Sequence, residues 1–125
     1  MKYIGYLIYH LLAKHLPGSH QKYSLFSKQF RGFSAKLMGL SMGKNVNIEK
    51  GANFASDLRI GDRSSVGKNA LISQNVIIGK DVMMGPECII LTQNHNHFNP
   101  DIPMIEQGYE VMKSVEIGDD VWIGA

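Results

Sequence analysis

The sequence predicts a parallel β-solenoid, and two regularities carry that prediction. Every sixth residue from Ile48 to Ile90 is bulky and apolar: Ile48, Phe54, Ile60, Val66, Ile72, Ile78, Met84 and Ile90. Two residues before each stands a small or aliphatic side chain, namely Val46, Ala52, Leu58, Ser64, Ala70, Val76, Val82 and Cys88, and glycine follows at 61, 67, 79 and 85. With 44% hydrophobic residues in the chain, eight matches in one phase arise by chance about once in 700 trials, so the repeat is a design and not an accident.

Side chains two apart on a strand share a face. Each hexad therefore sends two side chains inward, as with Val76 and Ile78, and then turns a corner. Gly61, Gly67, Gly79 and Gly85 are expected to make those corners, because glycine reaches backbone angles closed to other residues and has no side chain to clash. The polar pairs Asp62-Arg63, Lys68-Asn69 and Lys80-Asp81 complete them. Short strands and tight corners repeated many times build a solenoid. Three hexads per turn stack residues eighteen apart, so Ile48, Val66 and Met84 form one internal column, and Phe54, Ile72 and Ile90 another. The spacing does not fix the hand of the winding, for which the general rule favours right-handed crossovers.

Residues 1–44 form a separate, basic and partly helical segment. Seven basic residues and no acid occur through position 48, whereas the remainder carries six bases and eleven acids, an asymmetry that points to an anionic surface as partner. The apolar run from Tyr3 to Ala13 reads as a helix ending before Pro17-Gly18. It is too short to span a bilayer. Two readings stay open for it: a cap on one end of the solenoid, which repeat proteins require, and peripheral contact with anionic lipid through tyrosines and lysines. A cleaved signal peptide is disfavoured, since no small-x-small site follows the run. Cys88, the single cysteine, excludes an internal disulfide and reads as a buried, inert thiol, in keeping with a reducing compartment.

After Ile90 the rhythm stops, to resume at Val115-Glu-Ile117-Gly118 and Val121-Trp-Ile123-Gly124, so about 24 residues are inserted. The inserted loop, 92–114, contains the only histidines beyond the first twenty residues, in Asn94-His95-Asn96-His97-Phe98. A histidine-bearing polar loop on a rigid scaffold is a natural place for chemistry. His95 can serve as a general base because an imidazole titrates near neutrality; the alternative is a loop histidine that only makes hydrogen bonds. His95-x-His97 supplies two ligands, too few for a metal site. No phosphate-binding glycine loop, CxxC pair, nucleophile elbow or nucleic-acid module is present.

The hexads Ile60-Gly-Asp, Ile78-Gly-Lys-Asp-Val and Ile117-Gly-Asp-Asp-Val-Trp-Ile-Gly-Ala, with Met83-Met-Gly-Pro86 before the histidine loop, resemble the hexapeptide-repeat acyltransferases. Within that family, Asn94-His95-Asn96-His97-Phe98 followed by Asp101-Ile-Pro-Met-Ile-Glu-Gln-Gly108 is similar to the loop of polysaccharide and capsule O-acetyltransferases. The resemblance covers roughly residues 40–125. It implies an all-β, left-handed parallel β-helix with a short N-terminal helical segment, assembled as a homotrimer with sites between subunits. It implies acetyl-CoA as co-substrate, a saccharide hydroxyl as acceptor, no metal, and a cytoplasmic location, peripheral at the inner membrane face if residues 1–44 touch lipid. On the same footing His95 aligns with the catalytic base, His97 is the runner-up, and Asn94 positions substrate. Trp122 and the backbone of Ala125 match positions lining the acyl-CoA and acceptor cleft, although Trp122 also reads as outer-face packing. An oxyanion donor would be a backbone N–H of a neighbouring coil.

The family continues past this WIGA motif with further coils that form much of the pantetheine groove, and usually with a closing Gly-Asn-Pro-Ala-Lys segment. Here the sequence stops at Ala125 in mid-hexad, so a C-terminally truncated chain is expected. That leaves a non-catalytic binding or assembly module as the competing reading. A γ-type carbonic anhydrase on the same repeat wants three histidine ligands between subunits, which the hexads do not supply.

Overall fold

The computed structural model describes residues 1–125. It begins with helix α1 (Lys2–Leu11), a 3₁₀ turn (Ala13–His15) and helix α2 (Ser27–Met38). Nine short strands follow at near six-residue intervals: β1 (Ser41–Met42), β2 (Asn47–Ile48), β3 (Asn53–Phe54), β4 (Arg59–Ile60), β5 (Ser65–Val66), β6 (Leu71–Ile72), β7 (Val76–Ile78), β8 (Met83–Met84) and β9 (Ile89–Ile90). A second 3₁₀ turn (Met104–Glu106) lies in the insertion, and β10 (Val115–Ile117) and β11 (Trp122–Ile123) close the series. The first strand falls at Ser41–Met42, inside the segment assigned to the cap.

All ladders between the strands are parallel, and every ladder joins a strand to the third one after it. One sheet runs β1-β4-β7-β10, another β3-β6-β9, and two pairs are β2-β5 and β8-β11. The registers Ile48↔Val66, Phe54↔Ile72, Ile72↔Ile90 and Ile60↔Ile78 are eighteen residues apart. Short parallel strands in stacked sheets with this turn length are consistent with a parallel β-solenoid. Between β5 and β8 the Ser65 hydroxyl accepts the Met84 N–H at 3.1 Å. This side chain takes the place of a ladder carbonyl, which is why the β2-β5 and β8-β11 pairs stay separate.

The inward columns fall where the period places them. Ile48, Val66, Ala52, Leu58, Ala70 and Val82 are fully buried, and the whole forms one cluster with Phe54, Ile60, Ile72, Ile78 and Met84. Cys88 is half-buried rather than fully enclosed, and burial raises its thiol pKa.

The corners need a correction. None of Gly61, Gly67, Gly79 and Gly85 adopts a positive φ; the left-handed corner positions are instead Asn45, Arg63, Asn69, Asn75, Asp81, Glu87 and Asp120. The glycines are required by stacking: a Cβ on Gly61 would lie 2.7 Å from the backbone of Gly79, and one on Gly79 would lie 2.8 Å from that of Gly118. The left-handed strain is carried by asparagine, which tolerates it, and by residues clamped to the next turn. Arg63 donates to Asp81 at 2.6 and 2.8 Å, and Asn69 Nδ2 donates to Glu87 at 2.7 Å. Only Gly51 (φ 76°) supplies glycine's own freedom in this role.

The two helices close the first turn. Gly5 lets α1 approach the backbone of Leu37 and Met38, where a Cβ would sit 2.5 Å away. Tyr9 is fully buried on Phe54, and its hydroxyl donates to Ala52 O at 2.9 Å. From α2 the buried Arg31 donates to Ile48 O (2.6 Å), Pro17 O (2.9 Å) and Ser19 Oγ (2.8 Å). One guanidinium thus ties helix, connector and first turn together. The cap therefore contains two helices rather than the one read from residues 3–13, and no helix is long and apolar enough to cross a membrane.

Candidate functional site

The insertion leaves the stack after β9 and re-enters it in register at β10. Ile77 pairs with Glu116, an offset of 39 residues in place of the usual eighteen, so the insertion is 21 residues and not about 24. It folds as an antiparallel arm. Lys113 N donates to Thr92 O (2.9 Å), Glu110 N to Asn94 O (2.8 Å) and Asn96 N to Gly108 O (3.0 Å), with His95 bridged to Tyr109.

The tip is braced by two side-chain amides. Asn96 Nδ2 donates to Gln107 O and Tyr109 O at 3.0 and 3.1 Å. Gln107 Nε2 donates to Asn99 O and Ile102 O at 2.8 and 2.7 Å, while its Oε1 accepts Asn99 N–H. Asparagine and glutamine suit this work because one side chain both donates and accepts. The arm is thus a shaped element rather than a slack loop, as a connection of this length requires if it carries a site.

His95 sits on the outgoing leg with its ring against Tyr109, centroids 4.3 Å apart at 31°. Together with Met104 and Ile105 it lines an open recess of about 350 Å³. The ring nitrogens of His95 have no hydrogen-bond partner within the chain, whereas His97 Nδ1 lies 3.3 Å from His95 O and its ring stacks on Phe98 at 4.7 Å. A carbonyl can only accept, so His97 Nδ1 is the donor wherever that contact is a hydrogen bond. His95 lines the apolar recess; His97 is turned back onto the backbone of its own leg.

Asn94 is on the same leg and exposed, and its backbone carbonyl is used in the ladder. Trp122 stands on β11 with its side chain pointing away from the core, 77% exposed, in register with the exposed Met83. The indole thus stands on the outer face of the stack. Ala125 lies one step beyond Gly124, above Gly85. The fold brings His95, His97 and Asn94 onto one leg of the arm, and Trp122 and Ala125 onto the last turn of the stack. No hydrogen bond or ring contact joins these two groups.

Tyr109, Met104 and Ile105 were not singled out by sequence reasoning. Nothing in their spacing marks them, because an antiparallel arm places residues fourteen apart in contact without any periodic signal. No group of three or more His, Cys, Asp or Glu side chains converges in the chain. No family model matches the sequence, and neither a curated protein nor a solved structure is similar to it at a significant level.

Proposed function

We propose that this chain is an acetyl-CoA-dependent O-acetyltransferase acting on a saccharide hydroxyl, of the kind that modifies capsule or exopolysaccharide. In this reading the strands wind as a left-handed parallel β-helix and three copies assemble around an axis. The observation that carries it is the braced arm, which presents an unpartnered imidazole, His95, in an apolar recess beside a rigid stack. The hexad and loop motifs supply the direction of the chemistry.

His95 removes the proton of the acceptor hydroxyl as its oxygen attacks the thioester carbonyl. The tetrahedral oxyanion collapses, the C–S bond breaks, and the leaving thiolate takes the proton from the imidazolium. An ester and free CoA thiol result, so charge and atoms balance. The recess has only Met104 and Ile105 as partners to His95 within one chain. A neighbouring subunit supplies the facing wall, with Trp122 and the Ala125 backbone along the acyl-CoA and Asn94 on the acceptor. The half-buried single thiol accords with the cytoplasm as the compartment.

The test is a coupled assay for CoA thiol release with acetyl-CoA and a panel of sugars. His95→Ala lowers kcat by at least about 100-fold, while His97→Ala keeps most of it. Comparable losses from both substitutions move the base to the pair or to His97. Absence of saturable acetyl-CoA binding removes the transferase reading in favour of a binding or assembly module.

A further inference from the structure

The helical cap has its apolar pattern inverted. Helix α2 buries Ser27, Arg31, Ser34, Ala35 and Met38 against the first turn, and leaves Phe33 58% exposed. At its N-terminus Phe26 is 79% exposed. On α1 the buried residues Gly5 and Tyr9 define the inner face. Tyr3, Ile4, Leu7 and Leu11 fall on the opposite one, each more than half exposed. Single exposed apolar side chains are ordinary, but Tyr3, Ile4, Leu7 and Leu11, spaced along one face of α1, form a set that marks a contact surface.

The charge around that surface has one sign. Seven basic residues and no acid precede Glu49. Lys28 and Lys36 of α2 and Lys44 of the first turn line a single groove of about 440 Å³, and none has an ionic partner. Carboxylates of the first turns are engaged elsewhere: Asp62 accepts the Lys44 backbone N–H at 2.7 Å, Asp57 accepts the Asn75 N–H at 2.9 Å, and Glu49 accepts from Ser19 N and Asn47. Helix α1 has ten residues, so it is about 15 Å long, half of what the hydrocarbon core demands.

We infer that the outer face of the cap docks on an anionic phospholipid surface, with the Lys28–Lys36–Lys44 groove receiving headgroup phosphates. Tyrosine and phenylalanine rings enter the interface, the leucine and isoleucine side chains reach the acyl boundary, and lysines stay among the phosphates. A second protein copy would bring the same positive charge to the same face, which like-charge repulsion opposes. The inference is independent of the acetyltransferase reading, since it uses no residue of the arm.

Co-sedimentation of the full chain with phosphatidylcholine vesicles, with and without phosphatidylglycerol, tests it. Binding is expected to the anionic vesicles only, and to fall at least tenfold at high salt. The triple variant K28Q/K36Q/K44Q should lose about 100-fold in partitioning, from roughly fivefold per lysine. Leu7→Ser should lose about tenfold from the lost apolar contact. Leu7, Lys36 and Lys44 are exposed and Lys28 is half-buried, so an unchanged urea midpoint confirms that each variant is folded. Equal binding to neutral and anionic vesicles, or an undiminished triple variant, overturns the inference. So does self-association that Leu7→Ser abolishes without any vesicle binding, because the face is then filled by a second copy.

Discussion

Alanine scanned down one glycine column tests the stacking argument with its own control. Gly43, Gly61, Gly79 and Gly118 occupy equivalent corners of successive turns. An added Cβ would meet backbone at 2.6 Å over Gly43, 2.7 Å over Gly61 and 2.8 Å over Gly79, and nothing within 4 Å over Gly118. Ordinary contact for such a carbon begins near 3.4 Å, so at Gly79 the next turn must retreat by about 0.6 Å. The first obstacle is the Asp119 carboxylate, which accepts the Lys80 N–H and would have to give up that bond to move; behind it stand Gly118 C and O, main chain that cannot rotate away. Overpacking of a tight interior costs about 1–3 kcal/mol, and here the displacement also stretches the ladder bond from Gly79 N to Ile117 O, 2.8 Å long. Gly79→Ala should therefore lose about 2–3 kcal/mol. Gly118→Ala, in the 125-residue chain, should change stability by no more than about 0.5 kcal/mol, with a gain possible from the stiffer unfolded chain. Urea unfolding followed by far-ultraviolet circular dichroism reads both. Equal losses at 79 and 118 would refute the stacking account and return these glycines to a role in backbone conformation.

Two further outcomes follow from the cap. Arg31→Met should cost about 3–5 kcal/mol by urea midpoint, since it strips the buried Ile48 O and the half-buried Pro17 O and Ser19 Oγ of their donor; Arg31→Lys should recover little, because an ammonium cannot reproduce the fork that reaches all three together. Burial raises the Tyr9 phenol well above the usual tyrosine range, against a smaller opposing pull from Arg31. A folded pKa above the unfolded one means that its contribution is fully present below the unfolded pKa near 10 and is lost as pH rises beyond it. An alkaline absorbance titration should show one tyrosinate of the five appearing only together with unfolding, and Tyr9→Phe should remove that step.

What the sequence revealed depended on whether the physics was periodic. The columns through Ile48, Phe54 and Ile60 were legible because each turn repeats the same packing problem eighteen residues later. The corner conformation was misjudged at Gly61 and Gly79, since a glycine needed for close approach looks in sequence like one needed for a positive φ. Helix α2 escaped because its buried face is Ser27, Arg31, Ser34 and Ala35, which no amphipathic template scores as inward. In the arm, the histidines stood out by composition alone. Tyr109, which holds the His95 ring, did not, because antiparallel contacts set by Asn96 and Gln107 leave no repeat to read.

The arm begins and ends at one corner of the stack, between β9 and β10: Lys113 N reaches Thr92 O at 2.9 Å, and Val115 N reaches Asn75 O of the preceding turn at 3.1 Å. Topologically it is a side branch whose two feet stand together, so strand pairing across it proceeds as though it were not there. Doubling its length would add only about 0.6 kcal/mol of closure entropy. Selection can therefore rewrite the reactive appendage residue by residue, changing what it grips, while the folding problem solved by the hexads stays the same.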